Sequence, residues 1–309
     1  VAVDNTPPSL RLRPQLLAEG CTDAQLLRLR RTGELRTIRG GAYVAADGRP
    51  RFPEVEHLLL VRSTLPRLAP GAVVSHVSAA VLHGLPIWNV PTNRVHVTRD
   101  ARAGGRISAR LHLHVSPLDA DDVIEIDGVL VTSRARTLVD TAVTLPFEQA
   151  VVVADGALAD PLVGPALAAA MERAARRTGI DRARRVVGFA DGRAESVGES
   201  RSRVAMMRAG LPAPVLQWDV HSAGGRWIGR VDFAWPDLRT VAEFDGRIKY
   251  GRLLRPGQAP GEVVFAEKVR EDALRDEDLG MVRWTWPDLD DFAPVADRLR
   301  RSHDRRSRA

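Results

Sequence analysis

A chain of 309 residues with 44% hydrophobic content has room for two or three ordinary globular domains, and its net charge of +6 is carried almost entirely by arginine. Arginine suits phosphate because its planar fork donates two hydrogen bonds at once, but a genome-wide base bias also enriches it, so the charge points only weakly to nucleic acid. One cysteine, Cys21, excludes an intramolecular disulfide and a cysteine-built zinc site and leads us to expect a cytoplasmic protein; no apolar run reaches membrane-span length and no signal peptide is legible.

Residues 1–14, with Pro7 and Pro8 and no periodicity, read as a flexible arm. A short helix ends at Leu16 and Leu17 before Gly20, and Thr22 with Gln25 forms a capping-box pattern opening a second helix that Gly33 stops. Leu35–Val44, with Gly40 and Gly41 at its middle, reads as a two-stranded wing. A basic helix followed by a basic wing is the layout of a winged helix-turn-helix, with Arg28, Arg31, Arg36 and Arg39 as the expected DNA contacts. The alternative is a small helical cap with a solvated arginine face.

Residues 51–190 read as a middle α/β domain. Phe52–Leu68 and Ser75–Pro86, the latter stopped by Gly84 and Pro86, read as helices, and Val95–Thr98, Leu111–Val115 and Gly128–Thr132 read as strands. Ser133 is placed to cap a helix from Arg134 to Val143, and two more helices are expected over 148–158 and 162–177. His76 and His83 lie two turns apart on one expected helix, a pair more often structural than metal-binding; His112 and His114 share a strand face expected to be solvated. Neither a nucleophile–base pair nor a phosphate-binding glycine loop is visible in this region.

Residues 191–300 form the expected third domain, followed by an Arg-rich tail at 301–309 expected to be disordered. Ser196 and Glu199 open a helix ending at Gly210, Val215–Val220 is a strand, and Trp227–Phe233 and Arg239–Asp245 flank a Trp-Pro-Asp-Leu turn. Pairing Ala234 with Arg239 would set Arg230 opposite Glu243 and put Asp232, Glu243 and Asp245 on one sheet face. Such carboxylates repel unless a cation sits among them, and Mg²⁺ takes oxygens from one or two carboxylates while keeping waters. The competing reading pairs Glu243 with Arg230 and leaves the rest solvated. A charged helix over 262–279 and a strand over 281–286 complete the expected domain.

The runs Val231-Asp232-Phe233 and Glu243-Phe244-Asp245-Gly246, followed by Lys249, resemble the restriction-endonuclease-like, or PD-(D/E)XK, fold in its very-short-patch-repair-like branch. The resemblance implies Asp232 and Glu243 as metal ligands. Asp245 stands where that superfamily usually has lysine, and Lys249 where this branch often has histidine. It also suggests Glu199 as an acidic residue near the metal, against a purely capping role. Earlier in the chain, the amino-terminal segment and the runs Ser78-Ala79-Ala80, Leu82-His83-Gly84-Leu85, Val95–Thr98 and Val131–Asp140 resemble AbiEi-type antitoxins of actinobacteria.

The expected whole is therefore an α/β multidomain protein: a winged-helix-like amino terminus, an AbiEi-like α/β middle and a restriction-endonuclease-like α/β/α core. Its expected function is that of a DNA-associated endonuclease-like enzyme using Mg²⁺, or Mn²⁺ in its place, with Lys249 or Lys268 stabilising developing charge. The alternative is a non-catalytic DNA-binding regulator or antitoxin with a toxin protein as partner.

Overall fold

The computed structural model describes residues 8–48, 52–101, 103–246, 270, 273–274 and 276–306. They form a mixed α/β chain that divides into two compact units, Val1–Val153 with Pro161–Arg185 and Ala154–Asp160 with Val186–Ala309. Lys249, Lys268 and most of the expected charged helix lie outside the described residues.

The first unit opens with strand β1 (Arg11–Leu12) and helices α1 (Arg13–Ala18) and α2 (Asp23–Arg31). Residues 11–14, read from sequence as part of a loose arm, are therefore ordered: β1 pairs with β3 (Ala42–Ala45), which also pairs with β2 (Leu35–Arg39). Thr22 accepts a hydrogen bond from Gln25 N–H, and the Gln25 side chain accepts one from Thr22 N–H, the expected capping box. Gly41, at φ +82°, supplies the left-handed residue that the β2–β3 turn needs. This segment has a small apolar cluster of its own around Leu16, Leu26 and Tyr43. Its Ile38 and Val44, however, join the core of the sheet that follows.

That core gathers Leu59, Leu60 and Val61 of α3 (Pro53–Thr64), Val74 of β4 (Ala72–Val74) and Ala79 of α4 (His76–Leu82). Val95 and Val97 of β5 (Val95–Arg99) complete one side. β6 (Arg106–Ile107), β7 (Leu111–Val115), β8 (Val123–Ile126) and β9 (Val129–Thr132) extend the sheet to six strands in the order β6-β7-β5-β4-β9-β8. The pairs β5–β7 and β4–β9 are parallel and the other three antiparallel. Helix α5 (Arg134–Thr144) starts at Ser133, whose hydroxyl accepts the Arg136 N–H as its sequence predicts. Helices α6 (Phe147–Leu158), α7 (Val163–Arg173) and α8 (Ile180–Phe189) follow; α8 is a helix that the sequence pattern does not announce.

The second unit is built on β10 (Val215–His221), β11 (Trp227–Trp235), β12 (Thr240–Phe244) and β13 (Gly280–Trp284), hydrogen-bonded in that order. The first two pairs are antiparallel and β12–β13 is parallel. Helix α9 (Val197–Arg208) and helix α10 (Ala293–Arg306) belong to the same unit. Met206, Leu216, Phe233, Ala242, Trp284, Val295 and Leu299 make one apolar layer of this unit, and Val220, Val231, Val241 and Leu274 another. The tail expected to be disordered is instead helical through Arg306, because His303 is buried and packs on Trp235 at 5.0 Å.

Gly198 marks the closest approach of α9 to β12. A Cβ there would overlap the Phe244 ring, which is buried and set edge-on to Trp286. Gly198→Ala is expected to destabilise the second unit by about 1–3 kcal/mol, an overpacking penalty that urea denaturation would read. An unchanged midpoint would mean that the helix can shift away at no cost.

Candidate functional site

The hairpin register differs from the one expected. Pro236–Leu238 makes a 3-10 turn and Arg239 takes a left-handed conformation (φ 43°), so β12 begins at Thr240. Phe233 pairs with Ala242 and Ala234 with Val241, two residues away from the expected pairing. The paired register ends at Phe233 and Ala242, so Asp232 and Glu243 are the next residue on each strand. Arg230 does not face Glu243; its guanidinium lies 3.4 Å from Asp219 and 3.9 Å from Glu195.

The ladder loosens at this point. Asp232 Oδ2 accepts the Phe244 N–H at 2.8 Å, so a side chain takes a backbone donor at the end of the β11–β12 pairing. On the other side of Asp232, Gln217 sits in β10 at φ 50°, a left-handed conformation that costs a non-glycine residue about 1–3 kcal/mol. The alternation of side chains changes there too. Leu216 and Phe233 face one apolar layer, whereas Trp218 and Val231, two residues on, face the other. Positions 217 and 232 are thus a local irregularity in an otherwise regular sheet.

Glu199 is buried at the first turn of α9. Its Oε1 accepts from the Ser196 hydroxyl at 2.7 Å, and its Oε2 from Glu195 N–H at 2.9 Å and from Gln217 Nε2 at 2.8 Å. Ser196 caps the helix by accepting the Glu199 N–H, but Glu199 takes the Glu195 N–H rather than that of Ser196, so the expected capping box is only half formed, and Glu199 is joined to the strained strand position through Gln217, a residue that sequence reasoning missed. Nothing in the pattern of β10 announces that its residue 217 turns left-handed.

Glu243 is held by two arginines that sequence reasoning also missed. Arg270 forms a two-pronged pair with it at 2.7 and 3.0 Å, and Arg283, its neighbour on β13, donates from Nε at 3.1 Å. Asp245 follows the strand, its N–H donating to Trp284 O at 2.8 Å. Among the described residues, Glu199, Asp232, Glu243 and Asp245 supply no group of three carboxylates within ligand distance of one another. Asp232 and Glu243 still offer the hard oxygens that Mg²⁺ prefers, each just beyond the last paired residue of its strand. An ion there would have to draw Glu243 away from at least one guanidinium.

The expected DNA contacts separate into two kinds. Arg28 and Arg31 are exposed on α2. Arg36 is occupied by Glu56, with both nitrogens at 2.7–2.8 Å, and Arg39 donates to Thr64 Oγ1 at 2.7 Å. Burial first, then the charges of Arg67 and Arg110, lower Arg39 from its ordinary value. Arg67 and Arg110 are both exposed, and Arg67 donates to Gly40 O at 2.6 Å in the β2–β3 turn. Sequence spacing does not bring 39, 67 and 110 together, and neither Arg67 nor Arg110 was anticipated. If this region binds DNA, Arg28→Ala with Arg31→Ala is expected to weaken binding and to reduce the slope of log affinity against log salt by about 0.9 for each phosphate no longer neutralised. Arg36→Ala, which removes a residue already paired with Glu56, should leave that slope unchanged.

No protein-family profile matches the chain. Two proteins of Mycobacterium tuberculosis, both described as uncharacterized, are similar to it: MT2308 of strain CDC 1551 / Oshkosh and Rv2248 of strain ATCC 25618 / H37Rv. Each is 35% identical over 182 residues, which are 56% of this chain and 62% of the relative. The chain thus spans about six tenths of the length of these curated relatives. A crystal structure of RV2827C protein from Mycobacterium tuberculosis aligns with 70% of this chain and 84% of its own at 16% identity and a TM-score of 0.39, a likeness too slight to define the fold. Among the described residues no helix is long and apolar enough to cross a membrane.

Proposed function

We propose that this is a DNA-associated protein whose second unit carries a nuclease-type carboxylate centre on a restriction-endonuclease-like core. The observation that carries the reading is the Asp232 carboxylate bound to the Phe244 N–H, next to Glu243, where the β11–β12 ladder gives way and beside the strained Gln217. Asp232 and Glu243 would hold Mg²⁺ or Mn²⁺, which when bound would polarise a phosphate and lower the pKa of a water. The chain's own contribution is electrostatic. Arg270 and Arg283 hold Glu243 in place, and once released they are placed to take phosphate oxygens as two-pronged donors. Glu199 holds Gln217 in place rather than reaching the reacting atoms. The amino-terminal arginines Arg28 and Arg31 and the Arg39, Arg67 and Arg110 group would supply DNA affinity from the first unit, in a winged-helix-like role.

A second reading rests on a specific observation: both oxygens of Glu243 are already engaged by guanidinium groups. On that reading the core is a scaffold, and the protein is a non-catalytic DNA-binding regulator or antitoxin, the AbiEi-like alternative, with a toxin as its partner. Plasmid cleavage with Mg²⁺ or Mn²⁺, comparing wild type with Asp232→Asn, separates the two. Asparagine keeps an acceptor for the Phe244 N–H but loses the charge, so a nuclease loses cleavage while its fold survives. DNA binding with no metal-dependent cleavage in either protein would favour the regulator.

A further inference from the structure

The first unit holds a cluster that neither reading uses. His76, His96 and His114 come from three separate elements, the start of α4, β5 and β7, and each offers a ring nitrogen within 4.8 Å of the other two. Sequence spacing leaves His112 and His114 in solvent and sets His76 with His83; the structure does neither. His83 turns away to hydrogen-bond Thr132 O at 2.7 Å. His114 stacks on His76 with ring centroids 3.6 Å apart, and His96 Nδ1 lies 3.0 Å from His114 Nε2.

The pleat explains the gathering. On β5 and β7, Val95, Val97, Leu111 and Leu113 pack on the aliphatic core, leaving His96, His112 and His114 at the alternate positions. The parallel register puts His96 level with His112 and Thr98 level with His114. His76 is then brought to the group by a left-handed backbone, φ 52°, at the first residue of its helix, stored strain at a buried position.

Two buried atoms there lack hydrogen-bond partners, His76 Nε2 and Asp140 Oδ2. Asp140 Oδ2 lies 3.9 Å from His76 Nδ1, which also contacts the Ser75 hydroxyl at 2.9 Å. A buried carboxylate behind a histidine is the usual means of orienting a metal-bound imidazole. Three neutral imidazoles suit zinc-like first-row ions and not Mg²⁺. A tetrahedral zinc with bonds of about 2.0–2.1 Å sets its ligand nitrogens roughly 3.3–3.4 Å apart, within the span of separations here.

We propose that His76, His96 and His114 form a binding site for a divalent transition ion of the zinc class, with Asp140 beside His76 and a fourth position left for water or an exogenous ligand. His112, whose ring stacks on His114 at 3.8 Å, flanks the site without joining the triad. The site is independent of the carboxylate pair in the second unit and of the function proposed for it.

The test uses the tag-free full-length chain stripped of metal by a chelator. Zn²⁺ titrated into it is expected to bind stoichiometrically and raise the melting temperature, and Co²⁺ to give the visible d–d bands of a tetrahedral site. The His96→Gln, His114→Gln double variant should lose both signals, whereas His221→Gln, at an exposed histidine of the other unit, should keep them. Retention of the cobalt spectrum by the double variant would overturn the assignment of ligands. Should the double variant fail to fold, wild-type protein decides alone: no tetrahedral cobalt spectrum and no zinc-induced shift would sink the proposal.

Discussion

Replacing Arg136 with methionine is expected to destabilise the first unit by about 3–5 kcal/mol, the cost of breaking a buried ion pair from one side. Arg136 is buried on α5, and its guanidinium has a partner in every direction. Nε donates to Asp140 Oδ1 at 2.9 Å, Nη1 to Asp122 Oδ2 at 2.7 Å and to Pro117 O at 2.9 Å, and Nη2 to Ser116 Oγ at 2.9 Å. Burial opposes its charge, but Asp140 and Asp122 outweigh burial and hold the guanidinium above its ordinary value. Both carboxylates are themselves buried, so methionine would strand them with Arg177 and Arg173 alone. Lysine keeps the charge without the planar fork, so Arg136→Lys should fall between methionine and wild type. Amide exchange in α5 reads this unit directly. The exposed pair Arg184–Asp181 serves as a control in which Arg184→Met should change little. Equal protection of α5 in wild type and Arg136→Met would refute the account.

The second large effect is an acid lability that resides in the histidine cluster. In an unfolded chain these histidines titrate near 6.5. In the folded protein, burial first and then neighbouring imidazoles lower His96 to about 4 and His114 to about 2, and burial holds His76 well below its ordinary value. The groups around them are His57, Arg94, Arg136 and Arg177, which disfavour further positive charge, and Asp140, which favours it. Between about pH 6.5 and 4 the unfolded state therefore binds protons that the folded state refuses, so stability rises with pH across that window and is independent of these groups above it. Each withheld proton is worth about 1.4 kcal/mol per pH unit. Urea midpoints measured in chelator at pH 7, 6 and 5 should fall steadily, and His114→Asn should flatten the decline. A midpoint as high at pH 5 as at pH 7 would show that the cluster takes up protons without cost.

What the sequence disclosed was governed by local chemistry. The caps at Thr22, Ser133 and Ser196 are set by residues three apart, and the sequence places each correctly. Strands β5 and β7 follow from alternation over a few residues. The failures are non-local or conformational. Arg36 looks free in the sequence because Glu56 is twenty residues away, on another element. The hairpin register slips by two because Arg239 adopts a left-handed conformation that its residue type does not signal. Arg270 and Arg283 are hidden from the sequence because Arg283 reaches Glu243 only through the parallel β12–β13 pairing. The histidine triad needs a parallel β5–β7 pairing and a strained helix start, neither of which periodicity reveals.

The bond from Gln217 to Glu199 ties the kink in β10 to the opening turn of α9. Two features that look separate thus share one fate in time. When the first turn of α9 frays, Glu199 lets go of Gln217, and the left-handed strand residue is free to relax to an extended conformation. Relaxation would turn Trp218 toward the wrong apolar layer, so the excursion must reverse before the sheet can repack. The amides of the first turn of α9 and those around residue 217 should therefore exchange with solvent as one cooperative unit, at a rate set by the helix terminus rather than by the sheet.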